Sequence, residues 1–220
     1  MTAPKTHVYF MPGLAAGKEI FKNIALPEDR YDITILEWQI PGKKETLEAY
    51  AKRMAEFITQ DDAVLVGVSF GGVLVQEMKA FLNLRKLIIV SSVKSKHELP
   101  PRLKFARKTS AYRLVPTGLV LSTPDLTKFA IGPRTRKRLG LYQEYLSVRS
   151  KVYLDWAIRN MVCWDREEVD EKVVHIHGDK DPIFPVKNID DYLPVEGGTH
   201  VMIINKGKRI SQMLLEVIEK

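Results

Sequence analysis

Residues 67–72 (GVSFGG) contain a serine in a Gly-x-Ser-x-Gly pattern. An almost entirely apolar run precedes the pattern and residues with helical spacing follow it, so we expect a strand–turn–helix. In that context glycines two residues before and after Ser69 relieve the steric clash of a very tight turn. The hydroxyl of Ser69 would then be exposed beside a helix N-terminus, which favours developing negative charge. The pattern therefore predicts a nucleophilic serine.

A serine nucleophile needs a base and an acid, and candidates follow Ser69 in the sequence. The bare pattern arises by chance in roughly one chain of this length in fifteen, so these partners decide its meaning. Asp179 and Asp181 lie in residues 177–185 (HGDKDPIFP), directly after an apolar run. His200 comes just before the last helical pattern. A histidine that takes the serine proton and a carboxylate that orients the histidine activate serine for attack on a carbonyl carbon.

The elements around these residues alternate between strands and helices. Strands are predicted at residues 7–11, 31–38, 63–68, 87–90 and 173–177, and helices at residues 47–58, 73–82 and 210–218. The runs at 63–68 and 87–90 are so apolar that both faces of these strands should be buried. The alternation predicts an α/β fold with a mostly parallel central sheet and helices on both faces.

The alternation stops between residues 94 and 165. Prolines and a run of positive charge at residues 134–138 (RTRKR) interrupt it, and residues 139–164 have a helical pattern. In that pattern Val148, Val152 and Trp156 would share one face. We therefore divide the chain into a core of residues 1–93 and 166–220 and an inserted, mainly helical segment of residues 94–165.

The inserted segment carries the excess positive charge of the chain. The formal net charge is +7, yet residues 94–165 hold 15 basic and 5 acidic residues, and the remainder has a net charge of −3. Such a segment can steer an anionic substrate or an acidic carrier protein. The alternative is a solvated surface that keeps the protein soluble. The segment has no recognised nucleic-acid-binding motif, so we expect no nucleic-acid partner.

Composition narrows the class of protein further. The chain has 220 residues, of which 45% are hydrophobic and 28% charged, as in ordinary globular domains. Cys163 is the single cysteine, which excludes an intramolecular disulfide and a zinc site built from cysteines. No apolar stretch approaches 18 residues, and the N-terminus does not have the pattern of a secretory signal. We expect a cytoplasmic protein without a membrane span.

With these motifs the sequence resembles the α/β-hydrolase family, specifically its small, single-domain, serine-esterase-like members. The resemblance covers residues 7–92 and 173–220, and residues 94–165 lie where that family inserts its variable cap. It implies that Ser69 is the nucleophile, His200 the general base and Asp181 the triad acid. Asp181 matches the aspartate of the family's H-G-x-x-D-x-x-x-P pattern, whereas the competing Asp179 falls at a variable position.

The resemblance also implies an oxyanion hole made of two backbone N–H groups. One belongs to Phe70, which follows the nucleophile, and the other to Leu14 in residues 11–15 (MPGLA). Pro12 stands where the family commonly has a histidine. We further expect the substrate to contact four residues, namely Gly13, Trp38, Arg134 and Arg138.

The expected activity is hydrolysis of a carboxylic ester or thioester, on an anionic or carrier-bound substrate, through an acyl-enzyme. The alternatives are another reaction on the same fold (C–C hydrolysis, a lyase step or perhydrolysis) and a non-catalytic protein that binds an acidic partner. A metal cluster of His175, His177, Asp179 and Asp181 is a third alternative. It would leave Ser69 unexplained, so we expect neither a metal nor a cofactor.

Overall fold

The computed structural model describes residues 4–115, residue 117 and residues 148–220. These residues form a six-stranded sheet in the order β2-β1-β3-β4-β5-β6, and every neighbouring pair is parallel. The strands are β1 (Thr6–Met11), β2 (Tyr31–Ile35), β3 (Ala63–Val68), β4 (Leu84–Val90), β5 (Val173–Gly178) and β6 (Leu193–Val195). The predicted α/β architecture with a parallel sheet is confirmed.

Helices cover both faces of this sheet. The α-helices of the described residues are α1 (Leu47–Ala55), α2 (Phe70–Met78), α3 (Pro101–Thr109), α4 (Lys151–Cys163), α5 (Met202–Asn205) and α6 (Gly207–Ile218). Short 3-10 helices lie at Lys18–Phe21, Lys79–Phe81, Lys96–Glu98, Ala111–Leu114 and Val186–Asn188. None of the helices in the described ranges is long and apolar enough to cross a membrane.

Alternate side chains of the strands enter two separate hydrophobic clusters, as the pleat of a strand requires. Leu65 and Ile89 pack on the face that α1, α2 and α4 cover. Val64 and Ile88 pack on the opposite face, against residues of α5 and α6. Strand β3 is buried at every position, as its apolar sequence predicts. The sheet therefore holds the carboxyl ends of its strands at one rigid edge.

The helix after β3 begins earlier than its sequence pattern predicts. Apolar spacing indicates a start near residue 73, but α2 begins at Phe70 and includes Gly71 and Gly72. Glycine is a poor helix former, so the pattern alone places these residues in the turn. Both glycines are needed inside the helix because a β-carbon on either would overlap a neighbour, Pro12 or Ser92.

The described part of the inserted segment contributes α3, the 3-10 helix at Ala111–Leu114 and α4. A side-chain cap starts α4, where Ser150 Oγ accepts the N–H of Tyr153 at 3.3 Å. The predicted helical face is right in part: Trp156 is buried in the core and Val148 packs against it, but Val152 is 58% exposed and its neighbour Tyr153 is fully buried. The boundaries at residues 94 and 165 stay a prediction.

The backbones of Gly178 and Gly198 lie so close together that adding a single methyl group should lower stability. A β-carbon on Gly178, the last residue of β5, would lie 2.5 Å from the carbonyl carbon of Gly198. We predict that Gly178→Ala lowers the free energy of unfolding by about 1–3 kcal/mol, because two backbones would have to separate. Urea unfolding measures the change.

The matched control for that variant is Gly42→Ala. Gly42 is exposed, and its added β-carbon would lie an ordinary 3.6 Å from Glu45 Oε2. We expect this variant to stay within about 0.5 kcal/mol of wild type. Equal stability of Gly178→Ala and Gly42→Ala would contradict the packing described here.

Candidate active site

Ser69 occupies the turn between β3 and α2 with an unusual backbone conformation. Its φ is +53° and its ψ is −120°, a region that costs a residue with a side chain about 1–3 kcal/mol. Hydrogen bonds of its own N–H and carbonyl groups hold it there. The Ser69 N–H donates to the Val90 carbonyl at 2.9 Å, and the Ser69 carbonyl accepts the Gly72 N–H at 2.9 Å and the Ser92 hydroxyl at 2.8 Å.

The turn depends on glycine at the two positions that the sequence pattern requires. A β-carbon on Gly67 would lie 2.6 Å from the Val75 side chain, and one on Gly71 would lie 2.6 Å from the Met11 carbonyl oxygen. Both distances are far below any ordinary contact. The two glycines thus allow α2 to start directly beside the end of β1.

The structure brings Ser69, His200 and Asp181 together from three different loops. His200 Nε2 lies 2.9 Å from Ser69 Oγ, and His200 Nδ1 lies 2.9 Å from Asp181 Oδ2. A carboxylate acceptor at Nδ1 places the imidazole hydrogen on that nitrogen, which leaves Nε2 free to accept the hydroxyl proton. The Asp181 side chain is completely buried, and that of His200 is 21% exposed.

The second carboxylate oxygen of Asp181 is also satisfied. Asp181 Oδ1 accepts the N–H groups of Ile183 at 2.7 Å and of Phe184 at 3.0 Å. Burial raises the pKa of Asp181, but the His200 imidazole and these two N–H groups outweigh burial and hold the pKa below its usual value. Asp181 is therefore ionised at neutral pH.

Asp179 does not contact His200. Its N–H donates to the Val195 carbonyl at 3.3 Å, and its Oδ1 is buried without a hydrogen bond to any described residue. The sequence left Asp179 and Asp181 as competitors, and the structure brings only Asp181 within hydrogen-bond distance of the imidazole.

His175 and His177 form a buried pair on β5, just before the loop that carries Asp181. His177 Nε2 donates to the Phe184 carbonyl at 2.8 Å, so His177 Nδ1 carries no hydrogen and accepts from His175 Nε2 at 3.0 Å. Burial lowers the pKa of both histidines, which agrees with two neutral rings. Within residues 4–115, 117 and 148–220, no three His, Cys, Asp or Glu side chains form a metal-binding group.

The two predicted oxyanion donors belong to two different segments of the chain. Phe70 is the first residue of α2, and Leu14 lies in the loop after β1. A β-carbon on Gly13 would lie 3.5 Å from Ser69 Cβ, so this loop lies directly beside Ser69. Among the described residues, neither the Leu14 N–H nor the Phe70 N–H donates a hydrogen bond to a loop, turn or side chain.

Two aromatic side chains hold that loop, and only one was singled out from the sequence. Trp38 is 7% exposed, and its indole N–H donates to the Gly13 carbonyl at 2.9 Å. The hydroxyl of Tyr153, on α4, accepts the Ala15 N–H at 3.2 Å. Sequence reasoning missed Tyr153 because its partner Ala15 lies 138 residues away in the sequence.

One basic residue of the inserted segment contacts the loop that carries Asp181. Arg102 donates to the carbonyls of Pro182 at 3.0 Å and Ile183 at 2.7 Å, so α3 contacts the loop that carries Asp181. Arg134 and Arg138, the predicted substrate contacts, lie outside the described residues.

Solved structures similar to this chain cover nearly all of it. An esterase from Thermogutta terrifontis, with malate bound, has a TM-score of 0.67 at 16% identity and covers 99% of this chain and 91% of its own. This chain has the α/β-hydrolase fold. The predicted resemblance is thereby confirmed at the level of the fold.

Other α/β-hydrolase structures match to a similar extent. A bromoperoxidase from Bacillus anthracis has a TM-score of 0.67 at 16% identity and covers 99% of this chain and 93% of its own. An esterase from Exiguobacterium antarcticum has a TM-score of 0.62 at 16% identity and covers 98% and 92%. No protein-family model and no curated protein matches the sequence. The site of this chain must therefore carry the functional argument.

The lowered pKa of Asp181 predicts a pH-dependent contribution to stability. A carboxyl whose folded pKa lies below its unfolded pKa of about 4 stabilises the fold above that pH. The contribution is lost as the pH falls through the folded pKa. We predict that Asp181→Asn is less stable than wild type at pH 7 and that the difference shrinks below about pH 4.

Urea unfolding between pH 7 and pH 3 tests this prediction. The control is Asp61→Asn, which removes an exposed carboxyl at a distance from the site. A stability difference between wild type and Asp181→Asn that stays constant over this pH range would contradict the account.

Proposed function

We propose that the protein is a serine hydrolase that cleaves a carboxylic ester or thioester through an acyl-enzyme intermediate. The observation that carries the proposal is the hydrogen-bonded series from Ser69 Oγ through His200 to Asp181, with 2.9 Å at each step. The strained turn beneath Ser69 supports it, because an exposed serine with a base at hydrogen-bond distance is what acyl transfer requires. The esterases among the similar structures support it as well.

In the first half of the reaction, Ser69 Oγ attacks the carbonyl carbon while His200 Nε2 takes the hydroxyl proton. The carboxylate of Asp181 stabilises the imidazolium that forms. The carbonyl oxygen becomes an oxyanion, to which the N–H groups of Phe70 and Leu14 donate. When the tetrahedral intermediate collapses, His200 gives its proton to the departing alcohol or thiol, and the acyl group remains on Ser69.

In the second half, water replaces the leaving group. His200 takes a proton from water, and the hydroxyl oxygen attacks the acyl carbon to form a second tetrahedral intermediate. The same two N–H groups stabilise its oxyanion. Collapse breaks the bond to Ser69 Oγ, which recovers its proton from His200, and the carboxylic acid leaves.

Kinetics with p-nitrophenyl esters of increasing chain length test the proposed mechanism. We predict that Ser69→Ala loses at least about 10⁴-fold in kcat and that Asp181→Asn loses a similar factor, because the imidazole can no longer be held in the required tautomer. Ser91→Ala is the control, since Ser91 also has a positive φ, of +49°, at a strand end but has no histidine partner among the described residues.

Two outcomes would contradict the mechanism. Ester hydrolysis that survives Ser69→Ala would show that another group performs the chemistry. A folded wild type that hydrolyses no ester or thioester would favour another reaction on this fold, or binding without catalysis.

We further propose that the substrate is anionic, either as a free molecule or on an acidic acyl carrier. The support is the net charge of +10 in residues 94–165, which include Arg134 and Arg138. Several cations of this segment are already engaged: Arg107 and Lys96 with Asp165, and Lys151 with Asp155. Residues 134–138 form the densest run of positive charge in the segment, and we assign these charges to the substrate.

A charge-matched pair of esters tests this second proposal. We predict that the double variant Arg134→Ala/Arg138→Ala raises KM for the p-nitrophenyl monoester of glutarate by about 5-fold. KM for p-nitrophenyl butyrate should stay unchanged, and added salt should weaken the wild-type preference.

The control variant, Arg30→Ala/Arg85→Ala, removes the same amount of positive charge at the amino ends of the strands, away from the site. Arg30 and Arg85 lie at the amino ends of β2 and β4 and pair with Glu219 and Asp62. An unchanged KM for the glutarate ester in Arg134→Ala/Arg138→Ala would identify the basic segment as a solvated surface.

A further inference from the structure

The loop that presents Leu14 to the nucleophile is held at both ends. We call residues 12–15 the oxyanion loop. On one side of Leu14, the Trp38 indole N–H donates to the Gly13 carbonyl at 2.9 Å. On the other side, the Ala15 N–H donates to the Tyr153 hydroxyl at 3.2 Å. The Leu14 N–H lies between these two anchors.

The oxyanion loop needs such anchors because its backbone is strained. Ala15 has a φ of +60°, a conformation that residues with a side chain rarely adopt. Pro12 cannot help to hold the loop, because it has neither an N–H nor a polar side chain. The Ala16 N–H closes the turn onto the Gly13 carbonyl at 3.0 Å, and the Ala15 carbonyl accepts the Val148 N–H at 3.1 Å.

Trp38 also contacts the residue that carries the other predicted donor. Its ring stacks on Phe70 with centroids 5.3 Å apart and planes within 10°, and it contacts the Tyr153 ring at 5.2 Å. One buried indole thus touches the oxyanion loop, the first residue of α2 and helix α4.

Tyr153 is suited to hold a backbone amide permanently. Its side chain is fully buried, and burial raises the pKa of Tyr153 well above its usual value. The phenol therefore stays neutral at working pH, so no change in charge disturbs the loop. Its helix, α4, belongs to the inserted segment, so that segment reaches the site through this hydroxyl.

We propose that Trp38 and Tyr153 are positioning residues that hold the Leu14 amide opposite the Phe70 amide to receive the oxyanion. The proposal rests on the proposed serine hydrolase function. It assigns to helix α4 a part in the chemical step, in addition to any contact of the inserted segment with substrate. Neither side chain touches the reacting atoms, and both act through the backbone of the oxyanion loop.

The test is Tyr153→Phe, which removes the hydroxyl and keeps the ring. Because the oxyanion forms in the tetrahedral intermediates and the transition states that lead to them, and not in the bound substrate, a misplaced donor should lower kcat and leave KM alone. Loss of a whole oxyanion donor costs about 10²–10³-fold in kcat, so we expect about 10-fold for a shifted one. KM for p-nitrophenyl butyrate should stay within about 2-fold.

Two further readouts separate positioning from a structural effect. Binding of an alkyl trifluoromethyl ketone of the same chain length, which forms a tetrahedral oxyanion on the serine, should weaken by the same factor as kcat. The midpoint of the kcat profile against pH should not move, because His200 and Asp181 are untouched.

Tyr9→Phe is the matched control. Tyr9 is buried in the same hydrophobic cluster, but its hydroxyl bonds to Thr59, at 3.3 Å, and not to the oxyanion loop. We expect it to keep wild-type kcat and wild-type affinity for the ketone. If Tyr153→Phe fails to fold, Trp38→Phe removes the other anchor and must show the same loss in kcat at constant KM.

The outcomes that overturn the proposal are distinct from failure of the proposed function. Wild-type kcat in folded Tyr153→Phe, or a rise in KM alone, overturns the positioning role while the serine mechanism stands. A loss in kcat without weaker binding of the ketone also overturns it. Absence of ester hydrolysis in wild type overturns both proposals together.

Discussion

The backbone of Ser69 has a positive φ, and the rest of the site depends on how that strained conformation is held. Strand β3 and helix α2 meet at this residue without an intervening loop. Hydrogen bonds to Val90, Gly72 and Ser92 tie the turn to β4 and to its own helix. A parallel sheet buried on both faces supplies the rigid frame that such strain requires.

The same edge of the sheet brings the other groups into reach. Parallel strands end side by side, so the loops after β1, β3, β5 and β6 converge on one edge. Asp181 is buried and fully hydrogen-bonded, whereas His200 remains partly exposed and open to a ligand. The inserted segment also contacts this edge of the sheet. Arg102 binds the loop that carries Asp181, and Tyr153 binds the oxyanion loop.

Local sequence signals were sufficient for much of this arrangement. Apolar runs and helical spacing predict the strands β1 to β5, and the glycines around Ser69 predict the strained turn. The choice of Asp181 over Asp179 needed a family pattern, since both follow the same strand. Strand β6 escaped prediction because it has three residues and includes Pro194. Tyr153 escaped because its hydroxyl bonds across 138 residues of sequence, which no local periodicity reports.

The central claim is that Ser69 is a nucleophile activated by His200. Intact-mass measurement after exposure to a fluorophosphonate probe tests it most directly, on wild type, Ser69→Ala and His200→Ala. We expect a single adduct on wild type and none on either variant within the same time. A folded wild type that forms no adduct, or an adduct that persists in Ser69→Ala, would contradict it.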